Sequence, residues 1–283
     1  MDLCDRKDIQ SLLARHGFHF AKSLGQNFLI RGDVAEAIAD AGCIPGCGVL
    51  EVGPGIGALT VQLARRAEKV VSVELDKRLP PVLAETMADC DRFTLIEGDV
   101  MKLSLAEVAA EQFQGLEPVL CANLPYNITT PFLTECVRAG CFRQLTVLIQ
   151  KEVAQRICAR PGTGEYGAFT VLMQYYTEPE LLFEVPNTCF MPPPRVTSAV
   201  VRCVTRRETP VRVVSEEAFW RTVRAGFALR RKMLVNSLQT GWQLPKERLA
   251  GIVESCGLPP TVRGEALRLE EYARLADALA AAE

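Results

Sequence analysis

Asn123-Leu124-Pro125-Tyr126 is the run whose residue types and order most directly suggest chemistry. An Asn side-chain carbonyl and a neighbouring backbone carbonyl can accept both hydrogens of an exocyclic amine, which turns the amine's lone pair toward an electrophile. Pro125 fixes its own φ and restricts Leu124 to extended geometry, so the Leu124 carbonyl is held in place. Tyr126 in the same turn offers a flat face for a nucleobase.

A second group lies upstream. Glu51-Val52-Gly53-Pro54-Gly55-Ile56-Gly57-Ala58 follows an apolar run and opens a helical pattern. Its glycines permit a tight turn and close approach of backbone to a ligand, which brings Gly53 and Gly55 to a cofactor. The spacing also satisfies the dinucleotide pattern G-x-G-x-x-[GA], and Glu74 arrives about 20 residues on, where a ribose-binding acid belongs. A nicotinamide-dependent oxidoreductase and an S-adenosylmethionine-dependent methyltransferase both fit this much. The next strands separate them: Gly98-Asp99-Val100 ends one with an acid placed to take an adenine amino hydrogen, and the following one ends in Asn-Leu-Pro-Tyr. Asp99 also suits a helix N-cap.

These residues need a scaffold that gathers strand ends. Apolar runs at 48–52, 69–75, 93–97, 118–122 and 144–150 alternate with helix-length segments, which predicts parallel strands covered on both faces. In such an open sheet the carboxyl ends converge on one crevice. Segments 180–185 and 198–204 alternate more and predict an antiparallel pair at the sheet edge. Before the sheet, helices are expected at Asp8–Arg15 and, capped by Asp33, up to Ala41, with an ordered loop over Phe18–Leu29. Beyond Thr209-Pro210 only helical patterns remain, at 215–228, 230–238, 246–255 and 269–281. The expected architecture is α/β: a doubly wound, mostly parallel, seven-stranded-type methyltransferase sheet in residues 1–209 and a small α-helical domain in residues 210–283.

Composition supports a folded chain, with 48% apolar and 23% charged residues and mean hydropathy +0.10 over 283 residues. No run of eighteen uncharged apolar residues occurs and the N-terminus lacks signal-peptide order, so a cytoplasmic protein is expected. Eleven cysteines without a Cys-x-x-Cys pair suit reduced thiols. Cys43 and Cys47 with His16 and His19 are the nearest approach to zinc spacing, and small-core-residue cysteines explain them better, so no metal is expected. Net charge is −2, yet Arg202–Arg248 holds 11 Lys+Arg against 4 Asp+Glu. A local basic surface of this kind can attract phosphates on an otherwise acidic chain.

Taken together, these motifs resemble the ribosomal RNA small subunit methyltransferase A family of adenine dimethyltransferases, over most of the chain. The resemblance rests on Lys22-Ser23-Leu24-Gly25-Gln26-Asn27-Phe28-Leu29, the glycine loop, Val73-Glu74-Leu75-Asp76, Gly98-Asp99-Val100 and Asn123-Leu124-Pro125-Tyr126-Asn127-Ile128-Thr129. It extends through Gln150-Lys151-Glu152-Val153-Ala154, Tyr166-Gly167, Phe190-x-Pro192-x-Pro194-x-Val196-x-Ser198, Phe227 before Arg230-Arg231-Lys232, and Arg263-Gly264-Glu265. Resistance-type methyltransferases of large-subunit RNA share the fold and an Asn-x-Pro-Tyr turn, and are the nearest alternative.

The resemblance implies transfer of two methyl groups from S-adenosylmethionine to N6 of each of two adjacent adenosines near the 3′ end of small-subunit (16S) ribosomal RNA. It assigns the cofactor to Asn27, Leu29, Gly53, Glu74, Asp99 and Asn123, with Gly55 in the same glycine loop. Asn123 and Leu124 would hold the amine, and Tyr126 and Phe190 would sandwich a flipped base, unless Phe190 is a core residue under the proline loop. Arg221, Arg224, Arg230, Arg231 and Lys232 are the candidate RNA backbone contacts. A monomer acting on a pre-30S particle is expected.

Overall fold

The computed structural model describes residues 1–20 and 26–283, so Lys22-Ser23-Leu24-Gly25 of the quoted motif lies outside the described residues. The chain divides into two compact units, residues 1–154 with 177–205, and residues 155–176 with 206–283.

The first unit begins with α1 (Arg6–Arg15), β1 (Phe28–Leu29), α2 (Gly32–Gly42), β2 (Cys47–Val52), α3 (Ala58–Ala64), β3 (Lys69–Glu74), α4 (Pro80–Thr86) and β4 (Phe93–Glu97). It continues with α5 (Leu105–Gln112), β5 (Glu117–Asn123), α6 (Thr129–Ala139), β6 (Gln144–Gln150) and α7 (Lys151–Ile157), which runs into the second unit. After α8 (Ala168–Tyr176), which belongs to that second unit, come β7 (Thr177–Val185), β8 (Phe190–Met191) and β9 (Ser198–Thr205).

Seven strands form one sheet in the order β4-β3-β2-β5-β6-β9-β7. Pairings from β4 through β6 are parallel, while β6–β9 and β9–β7 are antiparallel. All six residues of β2 are buried, as expected of a central strand covered on both faces. The strand order reverses between β2 and β5, which opens a crevice beyond their carboxyl ends. The antiparallel pair expected at the edge is there, with β7 outermost and β9 between it and β6. A separate two-stranded ribbon pairs Phe28 with Met191 and Leu29 with Phe190.

Local chemistry sets the helix ends. Asp5 caps α1 by accepting from the N–H groups of Lys7 and Asp8, and Ile9, Leu12 and Leu13 recur on one buried face. Asp33 does not cap α2. Arg31 holds the cap position, and the Asp33 carboxylate pairs with its guanidinium at 2.6 and 2.9 Å.

The second unit contains α8, α9 (Glu216–Ala228), α10 (Leu234–Leu238), α11 (Lys246–Ser255) and α12 (Leu269–Ala282). Its core joins Tyr166 and Tyr175 to Phe219, Trp242 and Tyr272. That packing moves residues 155–176 out of the expected 1–209 domain, and the return crossing falls at 205/206 rather than 209/210. Backbones approach closely where a Cβ on Gly264 would lie 2.2 Å from the Gly226 carbonyl oxygen. Tyr272 Oη donates to the Gly264 carbonyl at 3.0 Å across this contact.

The helix expected at 230–238 starts only at Leu234. Leu229 leaves helical geometry at φ −123°, ψ 69°, and Leu234 N–H donates to Val262 O at 2.7 Å instead of to the Arg230 carbonyl four residues back. Residues 229–233 therefore form an exposed turn, closed by Lys232 N–H to Leu229 O at 2.8 Å.

Candidate cofactor and acceptor site

The carboxyl ends of β2, β3, β4 and β5 and the segment Gln26–Leu29 surround an open cavity of about 1100 Å³, mouth included. It is lined by Asn27, Leu29, Gly53, Gly55, Glu74, Asp99, Asn123, Leu124 and Tyr126. Nine predicted site residues are thus brought together from five separate stretches of chain.

Beyond β2 the chain turns through Gly53 and Gly55 at φ 68° and 60°. An L side chain is strained there, and a Cβ on Gly55 would also stand 2.9 Å from the Phe28 ring. The glycine loop is therefore packed under Phe28, which shares an aromatic cluster with Phe18 and Phe20.

Glu74 ends β3 and is 7% exposed. Burial pushes its carboxyl up to about 7, against the Asp76 N–H that donates to Oε1 at 2.8 Å. Glu51, for which no role was expected, also lines the cavity. Its Oε2 accepts from Thr60 Oγ1 at 2.8 Å and Ser72 Oγ at 2.6 Å, and full burial raises it to about 7 as well. Its place directly before the glycine loop was the available signal. Asp99 lines the cavity and caps a 3₁₀ turn, accepting from Met101 N–H at 3.0 Å, as the capping expectation had it.

Asn123 closes β5. Its Nδ2 donates to the Asn27 carbonyl at 3.2 Å, which assigns Oδ1 as the acceptor left for a ligand. Leu124 N–H donates to Leu148 O at 3.1 Å, and its carbonyl receives no hydrogen bond from the described residues. The Pro125 carbonyl is already taken, by Ile128 N–H and Thr129 Oγ1. Two neighbouring acceptors, Asn123 Oδ1 and Leu124 O, are thus presented at the cavity. Tyr126 Oη and Ser198 Oγ lie 2.7 Å apart, which fixes the ring and gives the proline-rich motif's Ser a purpose.

Phe190, expected as the second face for a base, does not line the cavity. It is fully buried, because pairing of β8 with β1 turns it into the cluster holding Leu29, Ile38 and Val200. Phe190 is thus a core residue in this structure.

The lining suits one class of cofactor. Glu51, Glu74 and Asp99 contribute three carboxyls, no Lys or Arg occurs among the described lining residues, and Ile56, Leu75 and Val100 supply apolar walls. Such a cavity favours a cationic cofactor over one carrying the pyrophosphate of a dinucleotide.

In the helical unit Arg224, Arg230, Arg231 and Lys232 are exposed. Arg221 is not free: it pairs with Glu283 at 2.8 Å, donates to the Gly241 carbonyl and lies 4.1 Å over the Trp242 ring.

Residues 17–281 match the family Ribosomal RNA adenine dimethylase. The Ribosomal RNA small subunit methyltransferase A of Geobacillus thermodenitrificans is 47% identical over 278 residues, covering 95% of this chain and 94% of that protein. The protein of the same name from Bacillus cytotoxicus is 45% identical over 284 residues, covering 98% and 97%. Among solved structures, 23S rRNA methyltransferase ErmE superposes with TM-score 0.67 at 27% identity, covering 90% of this chain and 100% of that one. A dimethyladenosine transferase from Plasmodium falciparum shares the fold at TM-score 0.71 and 21% identity, covering 87% and 94%. Sequence and fold together place this chain in the ribosomal RNA adenine dimethylase family.

Proposed function

We propose that this protein dimethylates N6 of two adjacent adenosines near the 3′ end of small-subunit (16S) ribosomal RNA, using S-adenosylmethionine. The observation that carries this reading is the pair of acceptors, Asn123 Oδ1 and Leu124 O, at a cavity walled by carboxyls. The small-subunit relatives at 45–47% identity favour 16S RNA over the large-subunit RNA named for ErmE at 27%.

When bound, S-adenosylmethionine supplies an electrophilic methyl on a sulfonium, so the protein's task is mainly to position a weak nucleophile. Glu74 accepts from ribose hydroxyls, Asp99 accepts from the adenine amino group, and the turn at Gly53 and Gly55 lets backbone approach. Asn123 Oδ1 and Leu124 O accept the two hydrogens of the substrate amine, which favours a pyramidal nitrogen and stabilises the positive charge that grows on it. Once the methylated nitrogen has released a proton to water, a single N–H remains, and one of the two acceptors suffices to hold it. Tyr126 stacks on the flipped base, a contact worth about 1–3 kcal/mol by comparison with single-strand binders.

Arg224, Arg230, Arg231 and Lys232 hold RNA phosphates, while shape and splayed-out bases give selectivity. The protein acts as a monomer on a pre-30S particle in the cytoplasm. No helix among the described residues is long and apolar enough to cross a membrane. Incubating the protein with labelled S-adenosylmethionine and unmodified small subunits, followed by nucleoside analysis, should yield dimethyladenosine at two neighbouring positions. Label confined to large-subunit RNA would overturn the substrate assignment.

A further inference from the structure

Asp76 stands two residues beyond Glu74, is 6% exposed, and lies outside the cavity lining. Its backbone N–H donates to Glu74 Oε1 at 2.8 Å. Its side chain is saturated: Oδ2 accepts from Gln26 Nε2 at 2.7 Å and Arg78 Nη2 at 2.6 Å, and Oδ1 accepts from Arg78 Nε at 2.8 Å and Arg78 N–H at 3.0 Å.

Both partners lead elsewhere. Arg78 Nη1 donates to the His19 carbonyl at 2.9 Å, and its guanidinium lies 4.9 Å over the Phe18 ring. Gln26 precedes Asn27, whose carbonyl receives Asn123 Nδ2 at 3.2 Å. One buried carboxylate therefore stands at the junction of three segments: the end of β3, residues 18–19, and residues 26–27. An exposed ion pair would contribute little, but a buried carboxylate with a two-pronged Arg pairing holds its neighbours in one geometry. The Arg78 pairing also holds the Asp76 carboxyl below its usual range, so it stays ionised near neutral pH.

We propose that Asp76 is a positioning residue for methyl transfer, coupling the carboxylate of Glu74 to the amide of Asn123 through Gln26 and Asn27. The proposal rests on the cavity being the methyl donor's site. It assigns Gln26 a defined part: the bond to Asp76 sets where the Asn27 carbonyl lies, and that carbonyl decides which way Asn123 presents its oxygen.

The test uses the full chain with Asp76→Asn, Gln26→Ala and the double variant. Calorimetry gives the Kd for S-adenosylmethionine, and methyl transfer to small subunits gives kcat. Gln26→Ala should lower kcat about tenfold and weaken the cofactor Kd less than Asp76→Asn does, because it cuts the arm toward Asn123 and leaves the Asp76–Arg78 pairing in place. Asp76→Asn should weaken both, and the double variant should be no worse than Asp76→Asn alone, since both cut one connection. Should Asp76→Asn not fold, Gln26→Glu replaces it: a like charge against Asp76 should lower kcat further than Gln26→Ala. Folded variants with kcat within twofold of wild type, or effects that multiply in the double variant, overturn the coupling. Wild-type protein that binds no S-adenosylmethionine instead overturns the reading of the cavity itself.

Discussion

Glu51, Glu74 and Asp99 line a cavity with no Lys or Arg among its described walls, whereas residues 230–232 of the helical unit are three consecutive exposed cations. The two regions are also held differently. At the cavity the side chains are held by hydrogen bonds, some local, as Glu74 with the Asp76 N–H, and some from a distant segment, as Asn123 with the Asn27 carbonyl. At the basic turn the backbone is braced by Leu229, Leu234 and Val262 while the charged side chains reach solvent. A small cation must be held in one pose for reaction, which calls for preorganised dipoles. A polyanion needs only favourable charge over several phosphates, which tolerates mobile side chains. Net charge −2 averages an acidic cavity and a basic turn.

The sharpest break in this comparison is Asn123→Ala. Loss of one preorganised acceptor should lower kcat about 10²–10³-fold in methyl transfer, with RNA affinity in filter binding unchanged. A loss below tenfold would remove the Asn from the centre of the mechanism. Next is Glu74→Gln, which should weaken S-adenosylmethionine binding about 10–100-fold by calorimetry, the scale of a lost charged hydrogen bond.

Glu74 also gives the cavity a pH dependence. Its carboxyl holds a proton to about 7 in the folded chain against 4.5 ordinarily, so the folded state binds more protons over that interval. Its ionisation therefore opposes folding of the free protein, increasingly from about pH 4.5 to 7 and constantly above. Cofactor affinity runs the other way, falling about tenfold per pH unit below 7 if the ionised form binds. Calorimetry across pH 5.5–8 checks this, and Glu74→Gln should flatten the curve; a slope that persists belongs to Glu51.

At the other region, replacing Arg230, Arg231 and Lys232 together by Ala should make the plot of log affinity for RNA against log salt shallower by about 2, at about 0.7 per phosphate for single strands. Cofactor Kd should not move. The smallest effect expected is Arg221→Ala: its pairing with Glu283 and stacking on Trp242 make it structural, so about 1 kcal/mol of stability is lost with no change in salt slope. A changed slope would return Arg221 to the RNA surface.

Much of the cavity was legible because strand-end residues carry their own address. A parallel strand that ends in a glycine loop, an acid or Asn-Leu-Pro-Tyr must point its terminal residue into the crevice, whatever the rest of the chain does. Phe190 carried no such address. Its fate was decided by pairing with Leu29, a contact between residues far apart in sequence that sends its ring into the core. Arg230, Arg231 and Lys232 were expected on a helix, and they lie instead in the turn before α10, whose first N–H, from Leu234, donates to the distant Val262 carbonyl. Arg221 illustrates the same limit: a basic count cannot tell a free cation from one already engaged by Glu283 and Trp242.

From the sequence alone came the five parallel strands, the glycine turn, the acid that ends β3 and the Asn-Leu-Pro-Tyr run at the end of β5, because each depends on residues adjacent in the chain. The tertiary structure decided which acceptors are free, which aromatic ring faces the cavity, and how Asp76 joins Glu74 to Asn123 by way of Gln26 and Asn27. Those outcomes depend on which distant donor reaches a given carbonyl first. Local spacing carries no record of that competition, which is settled only when the segments pack.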